Sequence, residues 1–277
     1  MVQPGRRLVF AIDQKHLSGL SCRTNPWRSA MLVPLLVRLF PKDGHHVTGW
    51  HEEIQRTLPM YGRILDLGCG ANRDLASYRS ASVEVWGTDF EAHPALEYPQ
   101  WFRRLGSDGA LPFDDASFDV IFANMVLEHV CHPQRFLNEV YRVLRPGGRF
   151  IAHTISGDHY VTAIRRIVGV LPHTINQELV RLLYGRNCED TFPTVYRLNT
   201  RTQLQRVCRL TGLELERVRR YADPGYFRFM PGLMKLATVC DRILEGFGPG
   251  LGRLYLTAVM HRPAFSATGY QAKRKCA

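Results

Sequence analysis

The chain has 277 residues, 45% of them hydrophobic and 22% charged, which are ordinary globular proportions. Its 36 Lys and Arg against 25 Asp and Glu leave a formal charge of +11. That balance suits acidic partners such as nucleic acid, phosphorylated substrates or an anionic membrane surface, and equally a well-solvated Arg-rich exterior. The length suffices for one domain with insertions, or one with a small cap. Seven cysteines, odd in number and without a C-x-x-C pair, argue against a disulfide framework or a zinc site and for a reducing, cytoplasmic setting. The Leu8–Ile12 run after Arg6 and Arg7 is too short for a signal-peptide core. Met31–Phe40 is broken by Pro34 and Arg38, so no transmembrane segment is expected.

Residues 1–60 read as an N-terminal helical cap. Trp27, Met31, Leu32, Leu35, Leu36 and Leu39 recur at helical spacing, suited to core or lid packing. Trp50–Leu58 reads as a second helix, with His51, Glu52 and Glu53 in its first turn, closed by Pro59 and Gly62.

The stretch that organises the rest is Arg63-Ile64-Leu65-Asp66-Leu67-Gly68-Cys69-Gly70. Its short apolar run reads as a buried strand of a parallel sheet. The glycines after it permit a tight turn close to a ligand, and Asn72, Asp74 and the apolar residues beyond read as a capped helix. Strand, Gly turn and helix make the first half of a nucleotide-binding unit. Val83–Thr88 is a second strand ending at Asp89, a carboxylate placed to hold ribose hydroxyls. Trp101–Leu105 is a third, followed by Asp108, where an adenine amino group would need an acceptor. Phe118–Met125 is a fourth strand and delivers Asn124 to the same region. A helix starts near Pro133 and stops at Pro146-Gly147-Gly148, and Arg149–Thr154 is a fifth strand. Alternating strands and helices predict a doubly wound, mostly parallel α/β sheet with its ligand beyond the carboxyl ends of the strands.

Ile64-Leu65-Asp66-Leu67-Gly68-Cys69-Gly70, Gly87-Thr88-Asp89, Asp108–Phe113, Phe118-Asp119-Val120-Ile121, Leu127-Glu128-His129-Val130 and Leu144–Gly148 together resemble the class I S-adenosylmethionine-dependent methyltransferases. Within that family the resemblance leans toward the ubiquinone/menaquinone-type small-molecule enzymes. It covers about residues 63–155 and implies a seven-stranded Rossmann-like sheet, S-adenosyl-L-methionine as cofactor and S-adenosyl-L-homocysteine as product. It further implies that Asp66 orients the methionine end and that Gly68, Cys69 and Gly70 line it. Asp89 would hold the ribose, Phe90 lie beside the adenine, Asp108 and Gly109 meet the adenine edge, and Asn124 lie near the sulfonium. Asn72 stands where the family often has another glycine, and Asn tolerates left-handed backbone better than most residues. The full G-x-G-x-x-G of dinucleotide dehydrogenases is absent, since Arg73 occupies its third glycine position.

A hydroxyl acceptor calls for a general base near neutrality, for which His is the favoured type. His129 is the candidate, weighed against helix packing. Met125, Glu128 and His153 are candidate substrate contacts, with His153 equally readable as a buried strand residue. The expected domain is 61–262, with lid insertions at about 156–199 and 222–250 and a basic tail at 263–277. Thr200 and Gln203 form a capping box for a helix ended by Gly212. Leu213–Tyr221 and Leu254–Met260 read as the sixth and seventh strands. The expected activity is methyl transfer, O-methylation favoured, to a small glycan, lipid or secondary-metabolite acceptor of apolar or lipid-linked character, with peripheral membrane contact open. RNA modification is the alternative, supported by charge alone, and a non-catalytic cofactor-binding scaffold is a further one. No metal is expected.

Overall fold

The computed structural model describes residues 45–170, 194–223, 226–227 and 231–264. The proposed helix around Met31, most of the first insertion and the basic tail lie outside these residues. In chain order the elements are α1 (His46–Thr57), β1 (Gly62–Leu67), α2 (Arg73–Ala76), β2 (Val83–Asp89), β3 (Phe102–Arg104) and β4 (Phe118–Asn124). They continue with α3 (Pro133–Val143), β5 (Leu144–Ile155), α4 (Tyr160–Val170), α5 (Arg201–Thr211), β6 (Glu214–Tyr221), α6 (Pro231–Phe247) and β7 (Tyr255–His261). Short 3-10 turns cover Pro99–Trp101 and Leu127–His129.

One seven-stranded sheet runs in the order β3-β2-β1-β4-β5-β7-β6. The first five strands of that order pair in parallel, whereas β7 runs antiparallel to both β5 and β6. The expected α/β sheet is therefore present, with its seventh strand inserted between the fifth and sixth.

Alternation along each strand builds two cores. On one face Ile64, Val85, Val120, Phe122, Ile151 and Val259 meet Trp50 and Ile54 of α1. On the other, Leu65, Leu67, Ile121, Phe150 and Met260 meet Phe136, Leu137 and Val140 of α3 and Leu204 of α5. The second, larger core explains the apolar spacing of α3, whose first helical residue is Pro133, a position that needs no N–H. The capping box on α5 is complete in both directions, and Gly212 ends that helix at φ 81°.

Several boundaries differ from the sequence reading, four of them for a definable physical reason. α1 starts at His46, four residues early, because the His45 ring accepts the Val47 N–H and so caps it. Asn72 takes the left-handed conformation at φ 55° but makes no side-chain cap, so α2 is a single short turn. β4 ends at Asn124, since Met125 has φ 56° and cannot extend a strand. Pro146-Gly147-Gly148 lies within β5 and does not precede it. Gly147 turns at φ 82°, and the pairing shifts between Phe118 and Val120, so the strand absorbs the break as an irregularity.

Candidate active site

The carboxyl ends of β1, β2 and β4 converge. After β1 the chain turns at Gly68 (φ 77°) and Gly70 (φ 48°), with the amides of Gly68 and Cys69 both donating to Thr88 O at 2.8 and 3.1 Å. This packs the loop directly on β2, and it explains Gly87. A Cβ there would fall 2.8 Å from Cys69 Sγ and 3.0 Å from Asn72 Nδ2, closer than carbon can approach without displacing the turn.

Asp89, at the tip of β2, ties the loop to the sheet. Its Oδ2 accepts the Gly70 N–H at 2.9 Å and its Oδ1 the Phe90 N–H at 2.7 Å. Burial raises its pKa, and these two amides oppose the shift. Asp66 lies deeper, 3% exposed, and its Oδ2 has no hydrogen-bond partner. Burial first, then the charges of Asp74 and Asp89, hold its carboxyl well above the usual range. Asn124 donates from Nδ2 to Asp74 Oδ2 at 2.8 Å. Its Oδ1 and that of Asn72 are buried without a protein partner. Asp66 thus feels the charges of Asp74 and Asp89, and this end of the sheet carries three buried acceptor oxygens, on Asp66, Asn72 and Asn124, without a protein partner. A group carrying both cationic and hydrogen-donating atoms fits such a spot.

The remaining expected residues divide. Phe90 is half-buried beside the loop and packs on the larger core. Gly109 turns at φ 83°. Asp108 is exposed at the rim. Its Oδ1 accepts the Ala110 N–H at 3.1 Å and its Oδ2 takes Arg135 Nη2 at 3.0 Å. Cys69 is a buried thiol whose pKa burial pushes up, which suits lining and not nucleophilic attack.

His129 sits half-buried in the 3-10 turn after β4. Glu128, beside it, is 2% exposed and accepts Thr154 Oγ1–H at 2.6 Å. Asn199 Nδ2 donates to the same hydroxyl at 2.8 Å and to Ile155 O at 2.9 Å, so Glu128 clamps β5 to the segment before α5. Glu128→Ala is expected to cost about 2–3 kcal/mol in urea denaturation, as a buried hydroxyl loses a charged acceptor. S-adenosylhomocysteine affinity should be retained, and a stable variant with impaired binding would instead make it a ligand contact. His153 is 2% exposed, stacked between Trp50 and Tyr255 with ring centroids 5.5 and 5.3 Å away. Burial lowers its pKa, and both ring nitrogens are engaged. A residue so placed supports the packing of α1 on the sheet.

Sequence reasoning missed Asp74 as a member of the carboxylate group, because only the fold brings it to Asn124. It also missed the His45, His46 and Asp223 grouping, although the adjacent histidines were a visible signal. An open cleft lined by Arg56, Asp119, Arg145, Arg149 and Arg217 lies at the opposite, amino-terminal edge of the strands and holds none of the residues above.

The strand order and this loop agree with the class I S-adenosylmethionine-dependent methyltransferase resemblance read from the sequence. Residues 65–152 match the methyltransferase domain family. The chain is 33% identical over 131 residues to demethylmenaquinone methyltransferase of Clavibacter sepedonicus, covering 44% of this chain and 52% of that protein. It is 31% identical to tRNA U34 carboxymethyltransferase of Idiomarina loihiensis, covering 52% and 48% respectively. The chain thus spans about half the length of these curated relatives. In fold it is similar to a chain of the complex between the Haloferax volcanii Trm112 methyltransferase activator and a methyltransferase. That likeness has TM-score 0.50 and 16% identity over 84% of this chain and 96% of that one. S-adenosylmethionine is the cofactor of this domain class, and the orphaned Asp66 Oδ2, between two further carboxylates, fits its cationic methionine end. Among the described residues, no helix is long and apolar enough to cross a membrane.

Proposed function

We propose that this chain transfers a methyl group from S-adenosylmethionine to a hydroxyl of a small, apolar or lipid-linked acceptor. The observation that carries the reading is the Asp66–Asp74–Asp89 group behind the Gly68–Gly70 turn. Buried carboxylates without a cation are costly, and a bound sulfonium and ammonium would relieve that cost. When bound, the cofactor supplies an already activated methyl, so the protein's work is placement and exclusion of water. Asp66 would orient the methionine end, Asp89 the ribose, Phe90, Asp108 and Gly109 the adenine, and Asn124 the region of the sulfur. His129, after β4, is our candidate to take the acceptor proton.

The apolar reading is supported by the cluster that continues from Met125, in which Tyr160, Tyr196, Tyr221, Tyr226, Phe227 and Tyr255 pack together. α4, which contributes Tyr160 and Val161 to this cluster, and α6 fall in the two insertions, and we assign them a lid role. The quinone-directed relative is consistent with such an acceptor. A second reading, RNA modification, is favoured by the +11 charge and by the tRNA-directed relative.

The test is methyl transfer from labelled S-adenosylmethionine to parallel panels of phenolic, lipid-linked and glycan hydroxyl acceptors and to transfer RNA. Label entering an organic-soluble hydroxyl acceptor is the expected result. Label entering RNA alone would replace this reading with the second.

A further inference from the structure

A second polar group lies at the same carboxyl edge of the sheet, beyond β6. An isolated bridge pairs His45 with Ala222, which brings the start of α1 against the segment after β6. As a result His45 Nε2 stands 3.3 Å from Asp223 Oδ1, and His46 Nε2 stands 3.7 Å from Asp223 Oδ2. One ligand atom from each of the three residues lies within 4.8 Å of the others. We infer that His45, His46 and Asp223 form a binding site for one divalent metal ion of the zinc type, with a coordination position left open.

Three arguments support the assignment. Ligand atoms about 2.0–2.2 Å from a tetrahedral ion are roughly 3.3 Å from one another; His45 Nε2 stands at that distance from one Asp223 oxygen and His46 Nε2 slightly farther from the other, so a carboxylate facing the ion with both oxygens suits a shared site. Two imidazoles with one carboxylate form an N,N,O set, which borderline ions such as zinc accept and magnesium or calcium disfavours. A supporting layer is also in place. His46 Nδ1 is 3.3 Å from His153 Nε2, and His153 Nδ1 is 2.7 Å from Thr257 Oγ1. With His46 donating from Nδ1 and His153 donating to Thr257, His46 Nε2 is left as a lone pair facing Asp223. A metal-ligating histidine is commonly fixed through its other nitrogen in this way. Tyr255 stacks on His46 at 3.8 Å between ring centroids, only 7° from parallel, and restricts the ring further.

One contact must be surrendered. His45 Nδ1 accepts the Val47 N–H at 3.3 Å, and ligation through Nε2 puts a proton on Nδ1. Losing that cap costs about 1 kcal/mol, which the ion must exceed.

The open position would take an oxygen of the acceptor, hydroxyl or anionic, because Tyr255 and Tyr226 beside the site belong to the cluster that includes Met125. That role rests on the methyl-transfer reading; the metal site itself does not.

The experiment is calorimetric titration of chelator-stripped protein with zinc, followed by thermal melts and by the visible spectrum with cobalt(II). One zinc per chain, a raised melting temperature and cobalt(II) ligand-field bands are expected. Asp223→Asn and His45→Asn should abolish all three, and the second keeps a good helix cap, so its fold is protected. Thr257→Val should weaken zinc about tenfold by releasing His153. The exposed His51→Ala serves as the control and should bind as wild type. S-adenosylhomocysteine is titrated into each variant as a separate readout of fold and cofactor site, so the two readings fail independently. No saturable zinc or cobalt binding by folded wild-type protein overturns the site. So does binding unchanged in both Asp223→Asn and His45→Asn.

Discussion

Asp89→Ala is expected to weaken S-adenosylmethionine binding roughly a hundredfold or more while leaving the fold in place. The carboxylate is assigned two ribose hydroxyls, and hydrogen bonds to a charged group contribute about 1.5–3 kcal/mol each. It also holds the Gly70 and Phe90 amides, so its removal loosens the turn that lines the methionine end. Stability should change much less than affinity. Burial already raises the pKa of Asp89, so part of what is lost is a charge the protein held at a cost. Calorimetric titration beside a thermal melt checks this. Wild-type affinity in the variant would remove Asp89 from the site.

Asp66→Asn should act in opposite directions on stability and on binding. The Asp66 pKa is raised well above its ordinary value, so the folded protein keeps a proton that the unfolded chain releases. The stability of the ligand-free protein therefore falls as pH rises from the ordinary carboxylate range toward the raised value. The amide removes that slope. At neutral pH the variant should be more stable by about 1 kcal/mol or more, roughly 2–4 °C in melting temperature. The cofactor's cationic end favours ionised Asp66, so wild-type binding should release a proton and tighten with rising pH. In the variant, binding should be largely lost and that pH dependence abolished. Melts and titrations from about pH 4 to 8 resolve both effects. A destabilised variant that binds normally would show that Asp66 serves the fold and not the cofactor.

The parallel half of the sheet was legible because β1, β2 and β4 are short, largely apolar runs that end at or beside a residue with a chemical task. The sequence places Gly68, Asp89, Asp108 and Asn124 at strand ends. Boundaries set by side-chain or irregular backbone geometry were not legible. The His45 ring starts α1 where no usual capping residue stands. Gly147 looked like a stop and instead sits in a strand held by β4 and β7. The pairing of one Asp108 oxygen with Arg135, 27 residues away, is likewise visible only in the fold. The His45–His46–Asp223 group escaped because the histidines and Asp223 are about 180 residues apart and are brought together by the packing of α1 against β6, including the bridge from His45 to Ala222.

The position of β7 between β5 and β6 also orders events during synthesis. Among the described residues β6 pairs with no strand except β7, so its described neighbour in the sheet is available only once residues 255–261 have been made. The Gly turn, Asp89 and Asn124 depend on β1, β2 and β4, all complete by residue 124. Domains grow from the amino end as the chain is made, and strands waiting for distant partners are the slow and exposed ones. The cofactor half can therefore assemble on a nascent chain while Asp223 still follows an unpaired strand. β7 is the strand that brings the two halves into a single sheet.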